Sequence, residues 1–475
     1  MLVPVLGMGG VVGRHWLLRV ALVVALGSAT VARVEAEPLP ERGSCEGCNV
    51  ILVSLDTLRR DRLEPYGYDR PTSPEIAKLA ERALLFERAY STSTSTAESH
   101  MSLFTSLYPS VHGVATGRRR ESGIRRLAAD VPTLAGVLKS QGYATAGFHD
   151  GGNVTEDFGF SRGFDRYERK SFIPGRNWYE ISQWMSARGE APFFLFLHSY
   201  HVHDPYTPNA NRIEALSPGY EGGIRSDRRE LTRRSREACE NVEDCSPWHE
   251  SNRIFWSSAD LSRPADVAHL SALYDAEIQE LDSAIPRMIA AFDRLPRDTL
   301  VVFLSDHGEA FLEHGKVMHQ TLHEEIVRIP LLVLHPRVKA SGTRSRRTVS
   351  LLDVGPTLLD WLGLAPPDSF QGRPVHATTA PSEAPIFAEQ PSRNTAALID
   401  GGKKLLLSSA EEPDPEVRRA LDRVAAELAL QDAQRFGAVE LYDLATDPDE
   451  RNDLGIADPT FEPRSLRSSG SVARS

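Results

Sequence analysis

The sequence predicts an α/β fold: a large, mainly parallel sheet sandwiched between helices, with a small α+β subdomain at its C-terminal end. Three observations carry this. Short unbroken apolar runs, such as NVILVSL at residues 49–55, have the length and composition of strands buried on both faces. Segments with apolar residues at helical spacing alternate with these runs, the order that parallel sheets with crossover helices require. From Ala384 the texture changes to three short strand-like runs, IFAEQ, TAALID and KKLLLS.

The chain has 475 residues, 41% of them apolar, enough for one large domain with a smaller addition. A formal charge of −11 argues against nucleic acid as a partner. At the N-terminus, Arg14 and Arg19 precede VALVVALGSATVA, and Val34-Glu35-Ala36 has the pattern of a small-x-small cleavage site. Residues 1–36 therefore read as an export signal and 37–48 as a linker. The apolar run is short for a membrane span, so a membrane enters as partner only if this segment is retained. The expected location is periplasmic or extracellular. Four cysteines fall in two local pairs, Cys45 with Cys48 and Cys239 with Cys245. Past an export signal, disulfides are the expectation. Whether they pair locally or across is open, and a four-cysteine zinc site is the alternative.

Taken in order, residues 49–55 form a buried strand with Asp56 at its end. Ser73-Pro74-Glu75 opens a helix that runs to about Leu84. In AYSTSTSTAESHMSLFTSLYPSVHGV, a Ser/Thr run passes into a helical pattern through Met101, Leu103, Phe104 and Leu107. The join falls near Thr96, where a hydroxyl followed by Ala-Glu suits a helix cap. A hydroxyl there also lies in the positive field of a helix N-terminus, a suitable place to hold a nucleophile against a phosphate or sulfate. Pro132–Lys139 reads as a helix, Tyr143–Phe148 as a strand and Phe193–Leu197 as a strand ending in His198. Residues 207–265 carry a dense charge run, RSDRRELTRRSRE, and few apolar residues. They read as an insertion, either a solvated loop or a cover that selects substrate. Val267–Phe292 reads as one long amphipathic helix, Leu300–Leu304 as a strand before Ser305-Asp306-His307, and Ile329–Leu334 as another strand. The main domain spans 49–380 and the subdomain 381–456, with a helix at Pro415–Gln431 and a strand at Val439–Tyr442. Residues 457–475 are Ser/Arg/Pro-rich and read as a disordered tail.

Strand ends carry Asp56, Asp306 and His307, a donor set for a hard or borderline divalent cation. Calcium, manganese, magnesium and zinc all remain open. Thr96 would complete the shell, since a cation lowers a hydroxyl's pKa. Histidine is the second clue. His198, His201 and His203 crowd HSYHVHDPY, and His314, His319 and His323 crowd a later window. A site for an anionic group needs donors around its oxygens, and His203 and His319 are candidates. A loop histidine without a role is the reading for His198 or His323, and His314 is undecided.

These segments resemble the sulfatase family of the alkaline phosphatase superfamily. The resemblance runs from Asn49 to about Asp453 and rests on NVILVSLDTLRRDRLEPYGY, SLFTSLYPSVHGV, TLAGVLKSQGYATAGF, GFSRGFDRY, PFFLFLHSYHVHDPY, SDHGEAFLEHG, RIPLLVLHP, LLDVGPTLLDWLGL with QGRPV, and ELYDLATDPDERNDL. It implies the alkaline phosphatase/sulfatase-like fold, one divalent cation held by Asp56, Thr96, Asp306 and His307, and an anionic ester substrate. It implies that His203 binds substrate. His319 stands where the family usually places a lysine against the sulfate. Thr57 stands where many sulfatases have a further aspartate.

The largest departure is at the nucleophile. The family carries Cys or Ser in a C/S-x-P-S-R motif that is oxidised to formylglycine. Here the matching residues are Thr96-Ala97-Glu98-Ser99-His100. Threonine is not a known formylglycine precursor, and His149-Asp150 follows the strand where the family has a further catalytic lysine. The chemistry implied is that of relatives with a threonine nucleophile: Thr96 attacks, while His100, His203 and His319 bind the anionic oxygens or protonate the leaving group. The expectation is a metal-dependent hydrolase of sulfate or phosphate esters with a preference for phosphoesters. An exported phosphoryl or phosphoalcohol transferase, and a non-catalytic binding protein on the same fold, are the alternatives.

Overall fold

The computed structural model describes residues 39–116, 124–173, 175, 177–243, 245–337, 342–376, 385–408 and 438–454. The expected export signal, the helix at 415–431 and the tail lie outside the described residues. Among the described residues, no helix is long and apolar enough to cross a membrane.

The strands, in chain order, are β1 Asn49–Leu55, β2 Leu84–Tyr90, β3 Ala144–His149, β4 Arg166–Arg169, β5 Phe193–Ser199, β6 Thr299–Leu304, β7 Ala310–Phe311, β8 Val317–Met318, β9 Arg328–Ile329, β10 Leu331–Leu334, β11 Arg344–Ser350, β12 Ile386–Gln390, β13 Thr395–Asp400, β14 Lys403–Ser408 and β15 Ala438–Asp443. The main sheet runs in the order β11-β2-β10-β6-β1-β5-β3-β4, with β9 also paired to β2. The pairs around β1, and those of β3, are parallel, and β10 is antiparallel to both of its neighbours. This is the expected mainly parallel sheet.

β1 lies at its centre, and all seven of its residues are buried. That burial on both faces explains why its sequence is continuously apolar rather than alternating. The core on the helix-covered faces gathers Ile51, Val53, Leu195, Leu197, Val301 and Phe303. Register then fixes the site. Ser54 of β1 stands opposite His198 of β5 and Leu304 of β6. The residues that follow these parallel strands therefore emerge together at one sheet edge, where open α/β sheets collect their ligands.

Several elements differ from the sequence reading. Helix Pro74–Ala80 stops short, and Leu84 opens β2 instead. The expected helix over 267–292 is two, Pro264–Asp282 and Ile285–Phe292. Pro286 cannot donate a backbone bond and occupies the first turn of the second. Pro330 likewise divides the expected strand 329–334 into β9 and β10. β11, with the sequence RSRRTVS, escaped notice because it is a polar edge strand.

The insertion is not a loop. It folds into helices Ala210–Leu216, Arg228–Cys239 and Pro247–Ser257. The charge run forms the second of these, capped by Asp227 and laced by Arg225, Arg233 and Arg234 with Glu230 and Glu237. Both cysteine pairs are local disulfides, Cys45–Cys48 and Cys239–Cys245.

The C-terminal subdomain is the antiparallel sheet β12-β13-β14-β15. It joins the main domain through Lys404, which is fully buried between Glu324 and Glu450 at 3.2 and 2.9 Å.

Candidate active site

Helix Thr96–Thr105 begins one residue earlier than the cap reading required. Ser95 is the cap position and Thr96 the first helical residue, a shift within the usual uncertainty of helix ends. Every residue of this helix is buried. That accounts for its dense Ser, Thr and His content, because each polar group must find a partner there. Its start places Thr96 among free first-turn amides and in the positive end of the helix dipole.

Asp56, Asp306 and His307 come together as the sequence predicts. Their ligating atoms lie within 4.8 Å of one another, and all three side chains are fully buried. Asp306 Oδ1 accepts the backbone N–H groups of Thr57 and His307 at 3.2 and 2.9 Å. Asp306 Oδ2 lies 3.3 Å from His307 Nε2 and 3.4 Å from His100 Nδ1. The Ser99 hydroxyl reaches the same oxygen at 3.5 Å. Thr57 adopts a left-handed φ of 57°, which is strained for a β-branched residue. Its hydroxyl donates away from the site, to the Val202 carbonyl at 3.1 Å.

Two buried carboxylates this close cannot both ionise without a counter-charge. Burial first, and then the Asp306 charge, push the Asp56 carboxyl up to about 8. Burial also opposes ionisation of Asp306, but His307, His100, His198 and the Thr57 amide outweigh it and bring that group to about 2. Asp56 Oδ1 has no hydrogen-bond partner, and neither has His307 Nε2. Buried polar atoms without partners are costly, and here they point to the same few ångströms. A divalent cation fits this donor set: it would satisfy both orphaned atoms and neutralise both carboxylates.

Thr96 is linked to this centre through His100, whose Nδ1 meets the Thr96 carbonyl at 2.8 Å and lies 3.4 Å from Asp306 Oδ2. Thr96 is 2% exposed, and its side chain interacts with the Tyr200 phenol. That phenol is held strongly toward its protonated form, by burial and then by Asp56. Tyr200 also accepts the Asn153 N–H at 3.0 Å. Its turn is pinned by Asp150, whose Oδ2 accepts from the Ser199 hydroxyl at 3.0 Å and the Tyr200 amide at 2.9 Å. Asp150 is one of the two residues found where the family resemblance places a lysine.

The histidines divide into two kinds. His100 is completely buried, with Nδ1 on the Thr96 carbonyl and Nε2 on Ser54 Oγ, each at 2.8 Å. Burial lowers its pKa, so it is a neutral strut behind Thr96. His198, read from sequence as a loop residue, is instead buried in β5 with Nε2 3.1 Å from Asp56 Oδ2. Apolar neighbours in PFFLFLHSY should have signalled that the strand carries it inward.

His203 and His319 face each other with ring centroids 5.6 Å apart, and His319 lies 4.6 Å from His307. Burial alone would lower the His203 pKa, but Asp204, 2.7 Å from Nδ1, raises it to about 10. Asp204 is itself held by Asn252 and by the Trp256 indole N–H, both from the third helix of the insertion. Trp248 of that helix lies 5.7 Å from the His203 ring. The insertion thus braces and borders the site. His319 Nδ1 lies 3.4 Å from Glu309. A cavity of about 340 Å³ opens beside Tyr200, His203 and Trp248.

His314 and His323 lie elsewhere. Their rings stack at 3.6 Å, tied to Glu325 and Glu440. His323 is 4% exposed, not the loop residue expected, because the C-terminal subdomain covers it.

A parallel sheet thus gathers two aspartates and a histidine at one edge, a donor set suited to a divalent cation. A family model for sulfatases matches residues 48–364, two thirds of the chain. The chain belongs to the sulfatase family. It is 29% identical to Arylsulfatase K of Xenopus laevis over 189 residues, which cover 39% of this chain and 33% of that one. It thus spans about a third of the length of that relative. Two solved structures share the fold. One is a complex with its substrate D-glucosamine-2-N,6-O-disulfate, at a TM-score of 0.66 and 17% identity, covering 86% of this chain and 93% of the other. The second is the phosphonate monoester hydrolase of Agrobacterium radiobacter, at 0.63 and 18%, covering 86% and 92%.

Proposed function

We propose that the protein is an exported, metal-dependent hydrolase of sulfate or phosphate esters that works through Thr96 and prefers phosphoesters. The observation that carries this is the place of Thr96: a buried alcohol at a helix start, against the Tyr200 phenol, with His100 bridging from its carbonyl toward Asp306. Two local disulfides support an oxidising compartment.

Asp56, Asp306 and His307 would hold the cation, with Thr96 beside them. When bound, the cation neutralises the carboxylates and favours ionisation of a nearby hydroxyl. His100 fixes the first helical turn through the Thr96 carbonyl, so the Thr96 oxygen is aimed before substrate arrives. Cationic His203 holds the anionic oxygens of the ester. The Thr96 proton passes to water. The Thr96 Oγ–P bond then forms as the ester P–O bond breaks, and His319 protonates the departing oxygen. Water cleaves the phosphothreonine, which returns Thr96 to its alcohol and releases phosphate. The free amides of the first turn favour the negative charge that develops throughout.

The test pairs an aryl phosphate diester, an aryl phosphate monoester and an aryl sulfate, each with calcium, manganese, magnesium and zinc. Phosphoester turnover that falls by on the order of a thousandfold or more in Thr96→Ala supports the mechanism. Activity retained in that variant removes it. Turnover of the sulfate alone overturns the phosphoester preference. Silence on all three with metal bound favours a binding protein.

A further inference from the structure

A second cluster of metal-ligating groups stands apart from the Asp56 centre. His201, from the same HSYHVHDPY segment, points its Nε2 toward two carboxylates of helix Pro264–Asp282. Glu277 Oε2 lies at 3.4 Å and Glu280 Oε2 at 3.6 Å. The two glutamates are three residues apart and so share a helix face. The ligating atoms of all three residues lie within 4.8 Å of one another.

The local bonding leaves this face of the cluster unmet. Glu277 Oε1 accepts the Thr207 amide at 2.7 Å, and Glu280 Oε1 accepts the Asn209 amide at 2.6 Å. Each carboxylate is therefore fixed by one oxygen and presents the other to His201. The His201 and Glu277 side chains are 5% and 1% exposed. Neither His201 Nε2 nor Glu277 Oε2 makes a hydrogen bond.

The spacing is informative. A direct imidazole–carboxylate hydrogen bond would close to about 2.8 Å. Two ligands at bond lengths of about 2.05 Å around a tetrahedral zinc stand roughly 3.3 Å apart. The observed 3.4 and 3.6 Å match the second distance. With both carboxylates ionised, as a bound ion would hold them, one neutral imidazole and two carboxylates balance a divalent ion; without an ion, burial holds Glu277 toward its protonated form.

We propose that His201, Glu277 and Glu280 form a second cation site, for a borderline divalent ion of the zinc or manganese type. Calcium is disfavoured, because it takes six or more oxygens. An ion there would tie the turn that carries Tyr200 and His203 to the long helix. His201 and Glu277 line the same 340 Å³ cavity as those two residues, so the ion has a path in.

The experiment is a saturation titration of chelator-stripped protein with Zn²⁺, read as bound zinc per chain by elemental analysis. His201→Gln and Glu280→Gln are each expected to bind one equivalent fewer than the unaltered protein at saturation. Glu280 is 23% exposed at its side chain, so its variant removes a ligand without opening the core. Far-UV circular dichroism checks that both variants are folded. The same titration on Asp306→Asn, which alters only the Asp56 centre, is expected to retain the equivalent that the other two lose. A count unchanged in both His201→Gln and Glu280→Gln overturns the proposal. So does saturation of the unaltered protein at one equivalent that only Asp306→Asn removes.

Discussion

The Asp204 carboxylate lies 2.7 Å from Nδ1 of His203 and turns that histidine into a fixed cation at the mouth of the site. Burial would otherwise leave the ring neutral, but Asp204 raises its pKa to about 10. A raised histidine contributes stability below its unfolded pKa of about 6.5, and loses it as pH rises through about 10. The charge is therefore present across the neutral range. In Asp204→Asn the ring loses that support, and kcat/KM for an anionic ester should fall about 10–100-fold at pH 8. It should recover in part toward pH 5, as the ring regains its proton. A kcat/KM–pH profile of the same shape in both proteins would sink this assignment.

Asp56 and Asp306 make metal binding a proton exchange. Without a cation, Asp56 holds its proton up to about pH 8. Its folded pKa exceeds the unfolded value, so the metal-free protein loses stability as pH rises from about 4 to 8. Asp306, depressed to about 2, contributes above about pH 4 and loses that only in strong acid. Cation binding at pH 7 should release close to one proton. Calorimetry in buffers of different ionisation enthalpy measures this directly. The rise in melting temperature on adding metal should be larger at pH 8 than at pH 5.5. An effect independent of pH would mean that the cation does not displace the Asp56 proton.

How far the sequence reached can be judged from these residues. Asp56 and Asp306 were legible because each ends a continuously apolar strand, and register in a parallel sheet then brings such ends together. Thr96 was legible as the point where a Ser/Thr run becomes a helical pattern. Three of the C-terminal strands are legible to the residue, two of them punctuated by Gly401-Gly402, while β15 extends one residue beyond Val439–Tyr442 at each end. Tyr200 and Asp150 were not visible as site residues, because their importance lies in a contact between two turns far apart in sequence. His198 is hidden for a different reason: it ends a strand, where a polar residue suits a turn, yet β5 carries it inside the sheet opposite Ser54. The insertion misled through its charge. A helix stabilised by i,i+4 pairs that buries only Leu231 and Ser235 has the composition of a solvated loop.

His100 should behave as a positioning residue. Its Nδ1 supports the Thr96 carbonyl and its Nε2 meets Ser54. His100→Ala opens a buried cavity and should lower kcat by about 100-fold with KM little changed, because in the proposed mechanism His203, not His100, holds the substrate. His100→Asn keeps a short donor near the carbonyl and should restore part of kcat. Equal loss in both variants, with KM raised, would place His100 among the substrate-binding groups instead.

Lys404 supplies the last prediction. It is 0% exposed and compensates Glu450, also 0% exposed, and Glu324. Glu450 Oε2 in turn accepts the Glu324 amide at 2.6 Å, so one ammonium closes a network between β14 and the segment that follows His323. Removing it leaves Glu450 without its cation and Glu324 with only Arg328, 3.6 Å away. Lys404→Met should cost about 3–5 kcal/mol, because uncompensated buried charge is more expensive than the pair itself is favourable. The unpaired Glu450 carboxyl, already raised by burial, would hold its proton in the folded state, so the variant should weaken further as pH rises from 5 to 8. Adding Glu450→Gln removes that carboxyl and should return a substantial part of the loss. Urea unfolding of the single and double variants at both pH values measures each step. If the double variant is no more stable than Lys404→Met, packing of the lysine stem rather than its charge holds the subdomain in place.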